Sequence, residues 1–133
     1  MEHSIVVRAG KSEIVSEDWG QLTWYASGRQ GNSMHMTLGI CIIHPGKQNP
    51  MHSHPNCVEI LRVAGGRIMH TAEGGEVELS SGDVITIPAN YPHHARNVGD
   101  TDAILEIAFC DHGFGWKHPD IGVRICSRRL HSV

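Results

Sequence analysis

The chain has 133 residues, a formal net charge of −3 and 40% hydrophobic residues. That length suits one domain with a core of its own. The basic residues form no long patch, with RRL near the end too short to serve as one, which argues against a nucleic-acid partner, and no apolar run approaches membrane-spanning length.

Taken in chain order, residues 1–33 hold short strand-like pieces, SIVVRA and QLTWYAS, expected to wrap the sheet edges. MEHSIVVRAG lacks a basic-then-apolar leader pattern, so a soluble, cytoplasmic protein is expected. Met34 to Ile43 reads as a strand with one fully apolar face (Met36, Leu38, Ile40, Ile42) and one mixed face (His35, Thr37, Gly39, Cys41). His44-Pro45-Gly46 ends it in a turn. Further strands are expected at His52 to His54, Val58 to Ala64, Arg67 to Ala72, Val77 to Leu79, Val84 to Ile87, His93 to Asn97 and Ala103 to Cys110. Glu73-Gly74-Gly75-Glu76 reads as a hairpin turn. No segment sustains a 3.6-residue apolar period, so helix should be scarce. Strands about every ten residues, separated by glycine turns, indicate an all-β sandwich or barrel. From Asp111 the pattern fails. Phe114 and Trp116 are expected to form a lid or to pack on a neighbour.

Two stretches carry chemistry. Gly46 to Gly66 holds His52, His54 and Glu59, and Gly82 to Asn97 holds His93. Imidazole and carboxylate are ligands for borderline divalent metals. On an extended strand His52 and His54 would point to one side, and a neighbouring strand could bring Glu59 to the same point. The first stretch fits G-x5-H-x-H-x4-E-x6-G, and the second fits G-x5-P-x-G-x2-H-x3-N with Asn90 in place of the third-position glycine. Asn tolerates positive φ better than most residues, so the turn should survive.

These paired motifs resemble those of the cupin superfamily. The resemblance covers Gly46 to Asn97 and implies a double-stranded β-helix, a jelly-roll-like β-barrel of the RmlC-like kind. The expected organisation is a single cupin domain over 1–133, with N-terminal strands in 1–33, a barrel core in 34–110 and a tail or lid in 111–133. The resemblance carries the four metal ligands onto His52, His54, Glu59 and His93. It implies one divalent transition ion (Fe, Mn, Ni, Co or Zn), a small-molecule substrate or ligand, and a homodimer. The implied activities are those of a small metal-dependent enzyme of dioxygenase, isomerase, lyase or decarboxylase type, acting on a small polar organic acid or sugar-like substrate. The alternative is a non-catalytic small-molecule binding or sensor module.

Other residues follow from strand parity. Ile68, His70 and Ala72 should face inward, making His70 a candidate general acid or base. His94 should point away from the pocket. Leu105, Ile107 and Phe109 should line an apolar wall, with Glu106 outside. Arg62 should point away from Glu59, and no Lys or Arg is placed inside. Asp111 and His112 are candidates for the pocket mouth, while His44 and His118 read as turn residues. Cys41, Cys57, Cys110 and Cys126 form no C-x-x-C pair and read as reduced thiols, with Cys57 a possible neighbour of the ligands. The outward apolar residues Val58 and Ile60 need a cover, for which the N-terminal strands of the same or a second chain are the candidates.

Overall fold

The computed structural model describes residues 4–55, 57–72 and 75–110. Among them are nine strands and no helix. They are β1 (Glu13–Glu17), β2 (Gly20–Ala26), β3 (Met36–Ile43), β4 (Val58–Gly65), β5 (Arg67–Ala72), β6 (Gly75–Ser80), β7 (Val84–Ile87), β8 (His93–Asn97) and β9 (Ala103–Cys110). One antiparallel sheet has six strands in the order β1-β2-β3-β9-β4-β7, and the other has three in the order β6-β5-β8. The two residues that join β5 to β6, in the expected hairpin turn, lie outside the described residues, as do Asp111, His112, Phe114, Trp116, His118 and Cys126.

β9 shows why these sequences make half-buried strands. Its residues alternate, with Ala103, Leu105, Ile107 and Phe109 buried and Ile104, Glu106 and Cys110 exposed. Period-two patterning of this kind sends every second side chain into the core. β9 pairs with β3 on one side and β4 on the other, so its inward row sits at the middle of the large sheet. Glu106 lies outside, where it pairs with Arg62 at 2.9 Å. Both parity expectations for these residues hold.

β3 turns its mixed face inward. Thr37, Cys41 and Ile43 are buried, while Met36 and Leu38 on the apolar face are 56% and 47% exposed. Trp24 explains the choice. Its ring is fully buried beside Gly39, where a Cβ would stand 2.7 Å from Trp24 Cε3. Glycine on the inner face leaves room for the indole, which also meets Phe109 at a centroid distance of 6.3 Å.

The N-terminal segment differs from expectation in two ways. SIVVRA lies in no strand, and Ile5 and Val6 are exposed. The strand forms later, at Glu13–Glu17, because a tight turn at Asp18-Trp19 folds it back onto β2 as a hairpin. These strands extend the large sheet edgewise beside β3 and do not cover Ile60, which stays 48% exposed. No helix among the described residues is long and apolar enough to cross a membrane.

The fixed positions of the two motifs have structural work apart from any ligand. Gly66 has φ +82°, and a Cβ there would stand 2.9 Å from Ala103 Cα and Asp102 O, so the turn between β4 and β5 requires glycine. Asn90 has φ 71°, as its place in the motif anticipates. Asn97 is buried, its amide donates to Ile43 O and Thr101 O, and its Oδ1 accepts from the Gly99 N–H. It ties the end of β8 to β3 and to the turn before β9.

Candidate metal centre

His52, His54, Glu59 and His93 come together as a buried group, with one candidate ligand atom from each lying within 4.8 Å of all the others. Backbone pairing brings this about. Glu59 sits on β4, where it is opposite Phe109 of β9 on one side and Ile87 of β7 on the other. A carboxylate on a strand paired at both edges has little freedom. His93 opens β8. His52 forms an isolated bridge with it, each backbone N–H donating to the other's carbonyl at 3.0 and 2.8 Å. The Asn90 N–H donates to His54 O at 2.8 Å, so the left-handed turn of the second motif is stitched to the first. His52 and His54 were expected on a strand and lie in none. Pro50 and Pro55 flank them, and proline lacks the N–H that a ladder needs.

The ring geometry sets the donor atoms. His52 Nδ1 donates to Pro50 O and His93 Nδ1 to Tyr91 O, both at 2.8 Å. Each of these bonds fixes a tautomer and leaves Nε2 as the nitrogen with a free lone pair, the arrangement that orients metal-binding histidines. The rings of His52 and His93 are 4.3 Å apart, and His54 rests edge-on against Phe109 at 4.6 Å. His93 Nε2 is 3.0 Å from Glu59 Oε1. His54 Nε2 is 3.1 Å from the same oxygen but outside hydrogen-bond geometry.

This arrangement concentrates charge out of water. Burial alone would raise the Glu59 pKa, but the close imidazoles of His54 and His93 outweigh it and hold the carboxyl well below its usual range. Burial also opposes charge on His93, yet the Glu59 hydrogen bond and charge prevail and its pKa is raised. With Nδ1 already donating to Tyr91, a proton on Nε2 makes His93 an imidazolium facing the carboxylate. A divalent cation answers the same need better, since it can take the Nε2 lone pairs and the carboxylate oxygen together. By donor chemistry, burial and second-partner bonds, the group fits a borderline transition metal.

Burial, then the nearby His93 and His54, lowers the His52 pKa to about 3. Burial and His93 lower that of His70 to about 4. An unfolded chain would protonate both near 6.5, so it binds more protons than the fold does between that value and about 4, and stability falls as pH drops through the window. His93 acts oppositely: its contribution is complete below 6.5 and is lost as pH rises through its raised value. The Glu59 contribution is lost only lower, as pH falls below 4.5 toward its depressed value. Two groups against one predict that the melting temperature of metal-free protein falls by several degrees between pH 7 and about 4.5. An unchanged or higher value at the lower pH would contradict this assignment of charges.

A cavity adjoins the group, bordered by His52, Glu59 and His93, by His70, and by apolar residues including Leu61, Leu105, Ile107 and Phe109. The inward parity of His70 is as expected. It is 1% exposed, its ring stacks on that of His93 at 5.7 Å, and neither ring nitrogen has a hydrogen-bond partner. His94 needs a correction: it is only half-buried, as its place after His93 implies, but it does border the cavity. Arg62 and Arg67 lie outside, paired with Glu106 and Glu78, and no Lys or Arg borders the cavity among the described residues. His44, expected in a turn, is held by Asp102 at 3.0 Å.

Sequence reasoning passed over Trp19, Asn49 and Cys41 as cavity residues. For Cys41 the signal was available in its two-residue spacing from the buried Ile43. Burial first, and then the charge of Glu59, raises its pKa, so it is a neutral thiol here. Cys57 is buried on the same face of the chain as Glu59, but is not among the residues bordering the cavity. Cys41, Cys57 and Cys110 form no disulfide with one another.

A sequence profile of the cupin domain matches residues 39–109, more than half of the chain. The chain belongs to the cupin domain family. Its two antiparallel sheets are the halves of the double-stranded β-helix. Among curated relatives, germin-like protein 3-8 of Oryza sativa subsp. japonica is 31% identical over 83 residues, which cover 59% of this chain and 37% of the relative. Among solved structures, the formate complex of Lactobacillus farciminis oxalate decarboxylase superposes with a TM-score of 0.68 at 20% identity, over 75% of this cupin and 31% of the enzyme chain. KdgF from Halomonas sp. gives 0.65 at 18% identity, over 78% of this chain and 92% of the other. At such identities the structures speak for the fold. The cupin spans about two fifths of the length of the first curated relatives it matches, 37%, 43% and 39%.

Proposed function

We propose that this cupin binds one divalent transition ion (Fe, Mn, Ni, Co or Zn) through His52, His54, Glu59 and His93, and acts as a small metal-dependent enzyme on a small polar organic acid or sugar-like substrate. The observation that carries the reading is the buried group of three imidazoles and one carboxylate beside a cavity. Four protein ligands leave further positions for a substrate or water. A bound ion would supply Lewis acidity or activate an oxygen ligand. The protein's part is then to hold the ligands through Pro50 and Tyr91, to keep water out with Leu105, Ile107 and Phe109, and to present His70 toward whatever enters. His70 is the candidate general acid or base. Dioxygenase, isomerase, lyase and decarboxylase chemistry all suit this arrangement, and the family alone selects none. The test is a screen of metal-loaded protein for dioxygen uptake, carbon dioxide release and isomerisation of small hydroxy- and keto-acids. Turnover abolished by chelation supports an enzyme.

One observation favours the alternative of a non-catalytic binding module. The cavity is small, with about 20 Å³ open to the centre of a water-sized body. Saturable ligand binding without turnover in the same screen would establish that reading.

We also infer a homodimer through the outer face of the six-stranded sheet. Met36, Leu38, Ile60 and Ile104 are exposed there on three adjacent strands, and apolar side chains grouped on one exposed face are what an interaction surface presents. An Ile60→Asp variant is expected to sediment as a monomer where the parent sediments as a dimer. A parent that sediments as a monomer would contradict the inference.

A further inference from the structure

The cavity beside the metal group changes character along its length, and strand register gives the order. On the large sheet Glu59 pairs with Phe109, Leu61 with Ile107, and Cys41 with both Leu105 and Leu22. On the small sheet Ala72 pairs with His93, and His70 with Ala95, a step of about 7 Å along the strands. Both walls run the same way from the ligands. Asn97, beyond Ala95 on β8, donates to Ile43 O, and Ile43 pairs with Ala103, beyond Leu105 on β9. The candidate ligands therefore stand at one end. His70, Leu61 and Ile107 form the next level, and Leu105, Cys41 and Leu22 the level after it, all bordering the cavity.

This order sets what a molecule bound to the ion meets. Next to the ion is His70, whose ring centroid is 5.7 Å from that of His93 and whose nitrogens have no partner. An oxygen is favoured there, because a buried polar group left unpaired is costly. Further in, the side chains are leucines and a thiol that burial keeps neutral. Each methylene buried against them adds roughly fourfold in affinity. A carboxylate in the same place would find no countercharge, since no Lys or Arg borders the cavity among the described residues. Hydroxyls there would lose water without gaining partners, which is also unfavourable.

We propose that the site selects a 2-oxo or 2-hydroxy monocarboxylic acid with an aliphatic body, its oxygens at the ion beside His70 and its carbons along Leu61, Ile107, Leu105 and Leu22. This rests on the metal-binding reading above and narrows its substrate class. Dicarboxylic acids and sugar acids share the oxygen-bearing head, but they set charge or hydroxyls against the apolar levels and bind more weakly. The apolar levels, rather than the ion, then determine specificity.

The probes are three 2-oxo acids with one head and different bodies: pyruvate, 4-methyl-2-oxopentanoate and 2-oxoglutarate. Each is titrated into protein loaded with Co(II), whose visible absorption reports a change in the metal's ligands. Metal content is measured separately on each sample after desalting. The branched acid is expected to bind at least about tenfold more tightly than pyruvate, for the carbon it buries, and at least about tenfold more tightly than 2-oxoglutarate, for the charge it lacks. Leu105→Gln keeps the volume and sets an amide on the apolar level, so the preference for the branched acid over pyruvate is expected to shrink several-fold, roughly the worth of one or two buried methylenes. Pyruvate or 2-oxoglutarate binding the parent protein as tightly as the branched acid overturns the proposal, and this comparison decides even where the variant does not fold. An unchanged preference in folded, cobalt-loaded Leu105→Gln overturns it too, as does the absence of binding by all three acids to the cobalt-loaded parent. Failure of the parent protein to take up cobalt overturns the metal-binding reading itself, and is distinguishable because the metal assay is independent of the titration.

Discussion

Glu59→Gln is expected to lower the affinity for a divalent ion by more than about 100-fold while leaving the fold intact. Removing an outer partner of a metal ligand costs about 10–100-fold, and Glu59 is the one anionic member of the buried group. Glutamine preserves volume, so packing against Phe109 and Ile87 across the strands should persist. The charge is what goes. Without it nothing in the group offsets the ion's charge, and the His93 Nε2 loses the carboxylate that now stands 3.0 Å away. The raised His93 pKa should fall, since the Glu59 hydrogen bond and charge are what raise it against burial. Calorimetric metal titration measures the first effect, and histidine proton resonances followed through pH on metal-free protein measure the second. Metal affinity within a few-fold of the parent would mean that the ion sits elsewhere.

Trp24→Ala is expected to be the most damaging single change to stability, at about 3–5 kcal/mol. The whole of a domain's stability is about 5–15 kcal/mol, so the variant should be partly unfolded or recovered poorly. Trp24 is fully buried, fills the space above Gly39 and meets Phe109, which in turn supports His54. The loss is softened slightly because the Trp24 Nε1 has no partner in its buried position, a penalty the variant relieves. Tyr25→Ala is the control. Tyr25 is the next residue but is 41% exposed on the other face, and its replacement should cost about 0.5 kcal/mol or less. Urea midpoints of the two variants test the contrast. A Trp24→Ala cost near that of Tyr25→Ala would mean that the indole is not a core element.

The strands were most legible where patterning and turns coincide. Val84–Ile87, His93–Asn97 and Ala103–Cys110 are bounded by glycine, proline or polar turns, and their alternation is regular. The four candidate ligands could be read from spacing because each motif fixes a backbone shape: the left-handed Asn90, the required Gly66 and the buried amide of Asn97 are consequences of the same pattern. What could not be read was partnership. SIVVRA looks like a strand but finds no neighbour, whereas EIVSE becomes one through a two-residue turn onto β2. The inward face of β3 was hidden because local hydrophobicity favours Met36 and Leu38, while the choice is made by Trp24 on the adjacent strand. His94 misled for a related reason: alternation assigns its direction, but not how far the cavity extends beneath it.

The central claim is that the buried His52, His54, Glu59 and His93 group holds a metal ion. Elemental analysis of untagged protein, purified without chelators beside a His52→Ala variant, tests it most directly. The account predicts close to one equivalent of a single transition metal per chain, largely lost in the variant. No metal in the purified protein, and none taken up on reconstitution with Fe, Mn, Ni, Co or Zn, would contradict it.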